Sequence, residues 1–372
     1  MAKRRGRNEG TIFRRKDGRW VAKVRLESGQ RKQLYGKTRR EVADKLTVAL
    51  KSIQDGLPIS SGRQTTGQYL DQWLENIKSK VRPSTWSRYE QYVRIHMIPV
   101  FGAVSLSRLT PAHLERLYSE RLAAGSSART VHHVHTVLHG ALEQAYRWGL
   151  VPRNVATLVD PPRTTRAPMH TLTVEQVRAL LTEIDGEPSE ALITVAVTTG
   201  MRLGELLALK WSEVDLQNAN LRVVASLSRS GGAWLLHEPK TDSSRRKIEL
   251  AGVAVSSLRR HRISQSTERL HIGPSWVDND FVFTNAIGNP LDGTNVLRRW
   301  LRPALRQAGL PQIRFHELRH TAATLMLEQD AHPKVVSEML GHSQISITLD
   351  LYSHVSPTMQ KKVVAIMDKA LA

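Results

Sequence analysis

RFHELRHTAATLMLEQDAHPKVVSEMLGHSQISITLDLYSH, residues 314–354, is the segment on which the architecture of this chain turns. From His316 onward the text is largely helical. Its His316-Glu317-Leu318-Arg319-His320 fits H-E-x-x-H, which on a helix sets two imidazoles on one face beside a glutamate base, as in zinc hydrolases. The extended form of that pattern needs Gly at 323 and His at 326, where the chain has Ala323 and Met326, and Glu338 is the nearest third ligand. The same letters also contain H-x-x-R, followed by His342 in Leu340-Gly341-His342 and by Tyr352 ten residues later. The two readings lead to different chemistry, and the sequence upstream separates them.

Two apolar helical runs, Glu190–Thr198 and Leu203–Lys210, flank Thr199-Gly200-Met201-Arg202. Thr173-Val174-Glu175-Gln176 has the form of a capping box opening a helix. Leu221–Leu227 and Ala233–Leu236 predict a hairpin around Ser230-Gly231-Gly232, and Lys247–Leu250 a further strand. Pro239-Lys240-Thr241 lies beside that hairpin. Helices are expected over Tyr69–Ser79, Ser84–Ile95, Pro111–Ala123 and Ala128–Trp148, with Pro83, Pro99 and Pro111 at their starts or joints. Trp86, Tyr89 and Tyr92 could stack on bases, although at helical spacing such aromatics are more often core. Two loops divide the chain: Pro58–Thr66, and Val151–His170, whose four prolines favour an extended strap.

The first 60 residues predict three short strands and a helix. Trp20, Ala22, Val24 and Leu26 alternate with Val21, Lys23, Arg25 and Glu27. Val42, Leu46, Ala49, Leu50 and Ile53 then make one helical stripe that can cover the apolar sheet face. Arg14, Lys16, Lys23 and Arg25 would remain outward, a basic face suited to a DNA major groove, with a merely solvated face as the alternative.

Composition restricts the partner. The 372 residues carry 54 Lys+Arg against 34 Asp+Glu, a net charge of +20. Residues 1–63 alone hold +12, against +5 in 64–165 and +3 in 166–372. This gradient points to an extended polyanion whose phosphates the first module neutralises. Absence of cysteine excludes disulfides, a thiolate nucleophile and cysteine-ligated zinc. No apolar run suggests a membrane span or a secretory signal, so an intracellular protein without a membrane partner is expected. Gly36-Lys37-Thr38 imitates the end of a P-loop, but Arg31 stands where its first glycine belongs. His132, His133, His135 and His139 straddle several faces of one helix with no acidic cluster, which suits solvated or nucleic-acid-facing histidines better than a metal site.

Arg202, Lys240, His316, Arg319, His342 and Tyr352, in this order, resemble the tyrosine recombinases, in particular the integrases of phages and integrative elements. The resemblance covers nearly the whole chain and implies a multidomain α+β protein. Residues 1–60 look like an arm-type DNA-binding domain, a small three-stranded sheet plus helix. Residues 64–160 look like a helical-bundle core-binding domain, and 171–372 like a mostly helical, mixed α/β catalytic domain. It further implies a homotetramer on double-stranded DNA attachment sites, in the cytoplasm of a bacterial host. A DNA-bending host factor and an excisionase would be further partners. Val363, Val364, Ile366, Met367 and Leu371 offer an apolar surface for docking on a neighbouring protomer or for packing in cis.

The residue types suit the implied chemistry. Cleaving a phosphodiester builds charge on pentacoordinate phosphorus, and the planar fork of Arg202 or Arg319 grips two phosphate oxygens while staying charged. His316 and His342 would add hydrogen bonds, with His316 as candidate base for the Tyr352 nucleophile, and the resemblance implies that Lys240 protonates the departing 5′-oxygen. A 3′-phosphotyrosyl ester would form and then be attacked by another strand's 5′-hydroxyl, so the resemblance implies neither a metal nor any other cofactor. A catalytically silent DNA-binding regulator would share the basic module yet never become covalently attached to DNA.

Overall fold

The structure is a computed structural model and describes residues 10–25, 31–54, 64–165, 170–230, 232–237, 245–342, 344–346, 348–349, 367–368 and 371. The chain divides into two compact units, residues 1–166 and 167–372.

In the first unit, β1 (Thr11–Arg14), β2 (Trp20–Arg25) and β3 (Arg31–Gly36) form an antiparallel sheet in that order, followed by α1 (Arg39–Gln54). Ala22 and Val24 pack with Val42, Leu46 and Ala49 of the helix, as the two periodicities require. Register refines which basic residues share the other face. Lys23 lies opposite Thr11 and Gln33, and Arg25 opposite Arg31, so both belong to the outer face with Phe13 and Tyr35. Arg14 differs from the expectation. It pairs with Trp20 and so has the parity of the helix-covered face, and its Nε donates to the Gly18 carbonyl at the exposed end of the sheet. Lys16 is exposed in the β1–β2 turn. Val21 is fully buried although it belongs to the outer face, because its cross-strand neighbours there are the aromatics Phe13 and Tyr35.

The same unit contains a helical core of α2 (Thr66–Ile77), α3 (Pro83–Gln91), α4 (Pro111–Ala123) and α5 (Ala128–Arg147). A Thr65/Gln68 capping box starts α2 three residues before the periodicity alone suggests. The second helix runs past Ile95: α3 continues through a wider turn, Tyr92–Met97, into Ile98–Phe101, so Pro99 falls in the first turn of a new segment. Its aromatics belong to the core side. Tyr89 stacks on Trp73, and the Trp86 indole donates to the Leu74 carbonyl. Nor is the start of the proline-rich strap extended. Val155–Leu158 forms a short helical turn, and Val151, Val155, Ala156 and Val159 are buried in the helical core. The Pro58–Thr66 loop lies outside the described residues over 58–63, and Thr66 is already helical.

In the second unit, α6 (Val174–Glu183) starts at the Thr173/Gln176 capping box. Helix α7 (Glu190–Thr199) is buried on almost every side and packs between α9 (Gly252–Ile272) and α11 (Phe315–Glu328). Short α8 (Leu203–Leu207) stops before Lys210. Strands β4 (Val214–Asp215), β5 (Asn220–Val223) and β8 (Arg246–Glu249) form one sheet, while β6 (Ser226–Ser230) and β7 (Ala233–His237) form a separate hairpin. The single strand expected over Leu221–Leu227 is therefore two, broken at Val224-Ala225, because its halves pair with different partners. Between α9 and α11 lies α10 (Arg302–Gln307), and α12 (Pro333–Leu340) follows α11.

Candidate active site

Two left-handed turns build the site. Helix α7 ends at Gly200, whose φ of +65° forms a left-handed cap. A Cβ there would collide with Leu340 Cδ2, so only glycine allows α7 to end against α12. The chain then reverses through buried Met201 and extended Arg202, which is the N-cap of α8. The second turn is Gly341, φ +68°, which caps α12 and places His342 directly after it.

These turns hold the guanidiniums through their carbonyls. Arg319, on α11, is 2% exposed and donates Nη1 to the Gly200 carbonyl at 2.8 Å, while its Nη2 has no hydrogen-bond partner among the described residues. Arg202 donates Nη2 to the Gly341 carbonyl at 3.2 Å and Nη1 to Glu205 Oε1 at 2.8 Å, with its side chain still 41% exposed. Burial, then the neighbouring Arg202, pulls Arg319 down to about 9, leaving it cationic at neutral pH.

The imidazoles answer to the same cations. Burial lowers both His316 and His342 to about 4; Arg319 and Arg202 add to the shift in each, after His320 for His316 and directly after burial for His342. Both rings are neutral at pH 7. His342 Nδ1 lies 2.8 Å from the hydroxyl of buried Thr348, which leaves Nε2 for other partners. His316 and His320 meet edge to face, with ring centroids 4.8 Å apart. Glu317, the base in the H-E-x-x-H reading, instead accepts the Arg314 backbone N–H at 2.5 Å and its Nη2 at 2.9 Å, which anchors the start of α11.

Four of the six residues singled out in the sequence, Arg202, His316, Arg319 and His342, thus converge from α7–α8, α11 and the end of α12. Lys240 and Tyr352 lie outside the described residues, as do Val363, Val364 and Ile366, whereas Met367 and Leu371 are exposed. Glu205 supports Arg202, as its position one helical turn away suggests. Sequence reasoning missed Arg246 and Thr348. Alternation in β8 gives Arg246 the parity of buried Ile248, and that was the available signal for an inward-facing arginine. In α5, His135 Nδ1 meets the Tyr118 hydroxyl at 2.6 Å, and His133 stacks on Tyr92.

Residues 170–359 match the phage integrase family, and residues 65–122 match the N-terminal SAM-like domain of phage integrases. An integrase of Streptomyces ambofaciens is 32% identical over 388 residues, covering 99% of this chain and 98% of that protein. A tyrosine recombinase XerC-like protein of Caldanaerobacter subterraneus subsp. tengcongensis is 30% identical, with 92% of this chain and 93% of that protein covered. Among solved structures, the Tn1549 transposon integrase in complex with a circular intermediate DNA superposes with a TM-score of 0.70 at 20% identity, covering 82% of this chain and 99% of that one. A lambda integrase tetramer bound to a Holliday junction gives 0.60 at 18% identity, with coverage of 95% and 97%. The fold is that of these integrases. The chain belongs to the phage integrase family of tyrosine recombinases and is an enzyme of site-specific DNA recombination.

Proposed function

We propose that Tyr352 attacks a DNA phosphodiester held by Arg202 and Arg319, forming a 3′-phosphotyrosyl ester that a 5′-hydroxyl of another strand then displaces. The observation that carries the reading is the buried fork of Arg319, anchored on one nitrogen by Gly200 and carrying beside Arg202 a second donor that has no partner among the described residues. Such fixed donors act on charge that develops in the transition state, and losing one costs about 10²–10³ in rate. Neutral His316 can accept the phenol proton, which matters because an ordinary tyrosine with a pKa of about 10 is ionised only about one part in a thousand at pH 7. His342, with Thr348 at its Nδ1, offers Nε2 to a phosphate oxygen. Lys240 is assigned to the leaving 5′-oxygen. One ester replaces another, so the scheme needs no ATP.

On this reading the module of residues 1–60 takes arm-type DNA on the face of Lys23 and Arg25, with Arg14 and Lys16 contributing at the sheet end. The helical residues 64–160 take core DNA, and 171–372 carry catalysis. Assembly as a homotetramer on two attachment sites, docking of the C-terminal segment on a neighbour, and help from a DNA-bending factor and an excisionase belong to the same proposal. A nicked suicide duplex tests it: wild type accumulates a covalent protein–DNA adduct and Tyr352→Phe accumulates none. An adduct that persists in Tyr352→Phe refutes the role of Tyr352.

A further inference from the structure

Glu205 sits in the centre of the site with more than one cation on it. It is 6% exposed, and its Oε2 accepts the Arg202 backbone N–H at 3.0 Å while its Oε1 accepts Arg202 Nη1 at 2.8 Å. Arg246, from the first residue of β8, approaches from the other side, donating Nη2 to Glu205 Oε2 at 2.8 Å and Nη1 to Oε1 at 3.3 Å. Its remaining nitrogen, Nε, donates to the Met339 carbonyl at 2.7 Å in the last turn of α12. The Arg246 side chain is itself only 6% exposed. Gly341 makes room for it, since a Cβ there would lie 2.9 Å from Arg246 Nη1.

We propose that Arg246 is a positioning residue: it locks the Arg202–Glu205 pair to the turn that carries His342, and it takes up the Glu205 charge so that Arg202 stays free to serve a phosphate. This rests on the reading of the site given above. Without Arg246, Arg202 and Glu205 form a neutral pair, and the clamp's positive charge is spent on its own carboxylate. With Arg246 the trio is net positive. Burial pushes the Glu205 carboxyl up, but the hydrogen bond and charge of Arg246, followed by those of Arg202, hold it below its ordinary value. Stability alone does not account for the arrangement, because a buried ion pair is often replaceable by apolar side chains without loss. What sets this pair apart is that its carboxylate is shared with the clamp. Arg246 also follows Lys240 by only six residues, so the strand it anchors continues directly from the segment bearing the proposed acid.

The test uses the full chain and a nicked duplex isolated from a random-sequence pool by covalent capture on the wild-type protein. Adduct formation is timed under single turnover, and affinity for the same duplex is measured separately. Arg246→Gln is expected to slow adduct formation about 10²-fold, the cost of misplacing reacting groups by about 1 Å, with affinity held within about threefold. Arg246→Lys, which keeps the charge but cannot reach both the carboxylate and Met339, recovers about tenfold of that. In a Glu205→Gln background the Arg246→Gln loss shrinks to about threefold, because the two act through one contact. The inference is overturned if Arg246→Gln cuts at the wild-type rate, or if its loss multiplies in full with that of Glu205→Gln. Should Arg246→Gln not fold, Arg246→Lys decides: a folded protein slowed more than about fivefold supports the inference, and wild-type rate overturns it. No adduct from wild type would instead overturn the site reading beneath it.

Discussion

Replacing Arg319 by lysine converts a property of its pocket into a pH profile. Arginine's ordinary value falls to about 9 at this position, chiefly through burial and then through Arg202. The same surroundings act on a lysine, whose ordinary value of about 10.4 is already lower, and pull it down further, so it loses its charge at a lower pH than the arginine does. On the proposed role of Arg319 the cation is the form that serves the phosphate, so activity is present below the pKa and lost as pH rises through it. Wild type therefore keeps its Arg319 charged to about pH 9, whereas Arg319→Lys sheds its charge at lower pH. Measured with DNA far below its dissociation constant, where the free protein's ionisation controls the rate, the wild-type to variant ratio rises with pH, by at most about tenfold per unit, over the range in which the lysine has lost its proton and the arginine has not. Below that range the ratio flattens at about 10², the loss from exchanging a two-pronged fork for a single ammonium. At saturating DNA the scissile phosphate favours the charged lysine, and the fall moves to higher pH. A ratio that stays constant from about pH 6 to about pH 9 at low DNA would refute the claim that burial governs this position.

Thr348→Val removes the partner of His342 Nδ1 and should slow adduct formation about tenfold with unchanged DNA affinity, while Thr348→Ser stays near wild type; equal rates for Val and wild type would dismiss the hydrogen bond. Proton NMR of the free protein should show His316 and His342 titrating near pH 4. Unfolded histidines bind protons at about 6.5, before these two do, so the urea midpoint should decline as pH falls from about 6.5 to about 4 and then level; a flat midpoint across that window argues against their burial. Deleting residues 1–63 should flatten the dependence of log Kd on log salt, since every phosphate left without its neutralising cation takes about 0.9 from the slope, and an unaltered slope would remove the sheet face from DNA binding.

How far the sequence could be read depended on how local each determinant was. The Thr173/Gln176 capping box, the helical stripes and the Pro111–Ala123 boundaries are properties of adjacent residues, and there expectation and structure coincide. The Leu221–Leu227 run looked like one strand because nothing within it shows that Leu221 pairs with Ile248 and Leu227 with Leu236. Arg14 was set on the wrong face because parity counted along β2 does not carry across a turn without the register of Arg14 with Trp20. The ordered set of Arg202, His316, Arg319 and His342 was legible because its spacing is distinctive. Arg246 was not, since its meaning lies in reaching Glu205 and Met339, 41 and 93 residues away.

The turn at Gly200 serves two masters. Its missing side chain admits Leu340 from the interior, and its carbonyl fixes Arg319. The same few atoms are thus both a seam of the folded interior and a mould for the Arg319 guanidinium. Warming that loosens the seam must blur the mould, so cleavage should depart from a straight Arrhenius line at the onset of melting of the second unit, with no cooler range in which the enzyme is intact but slack.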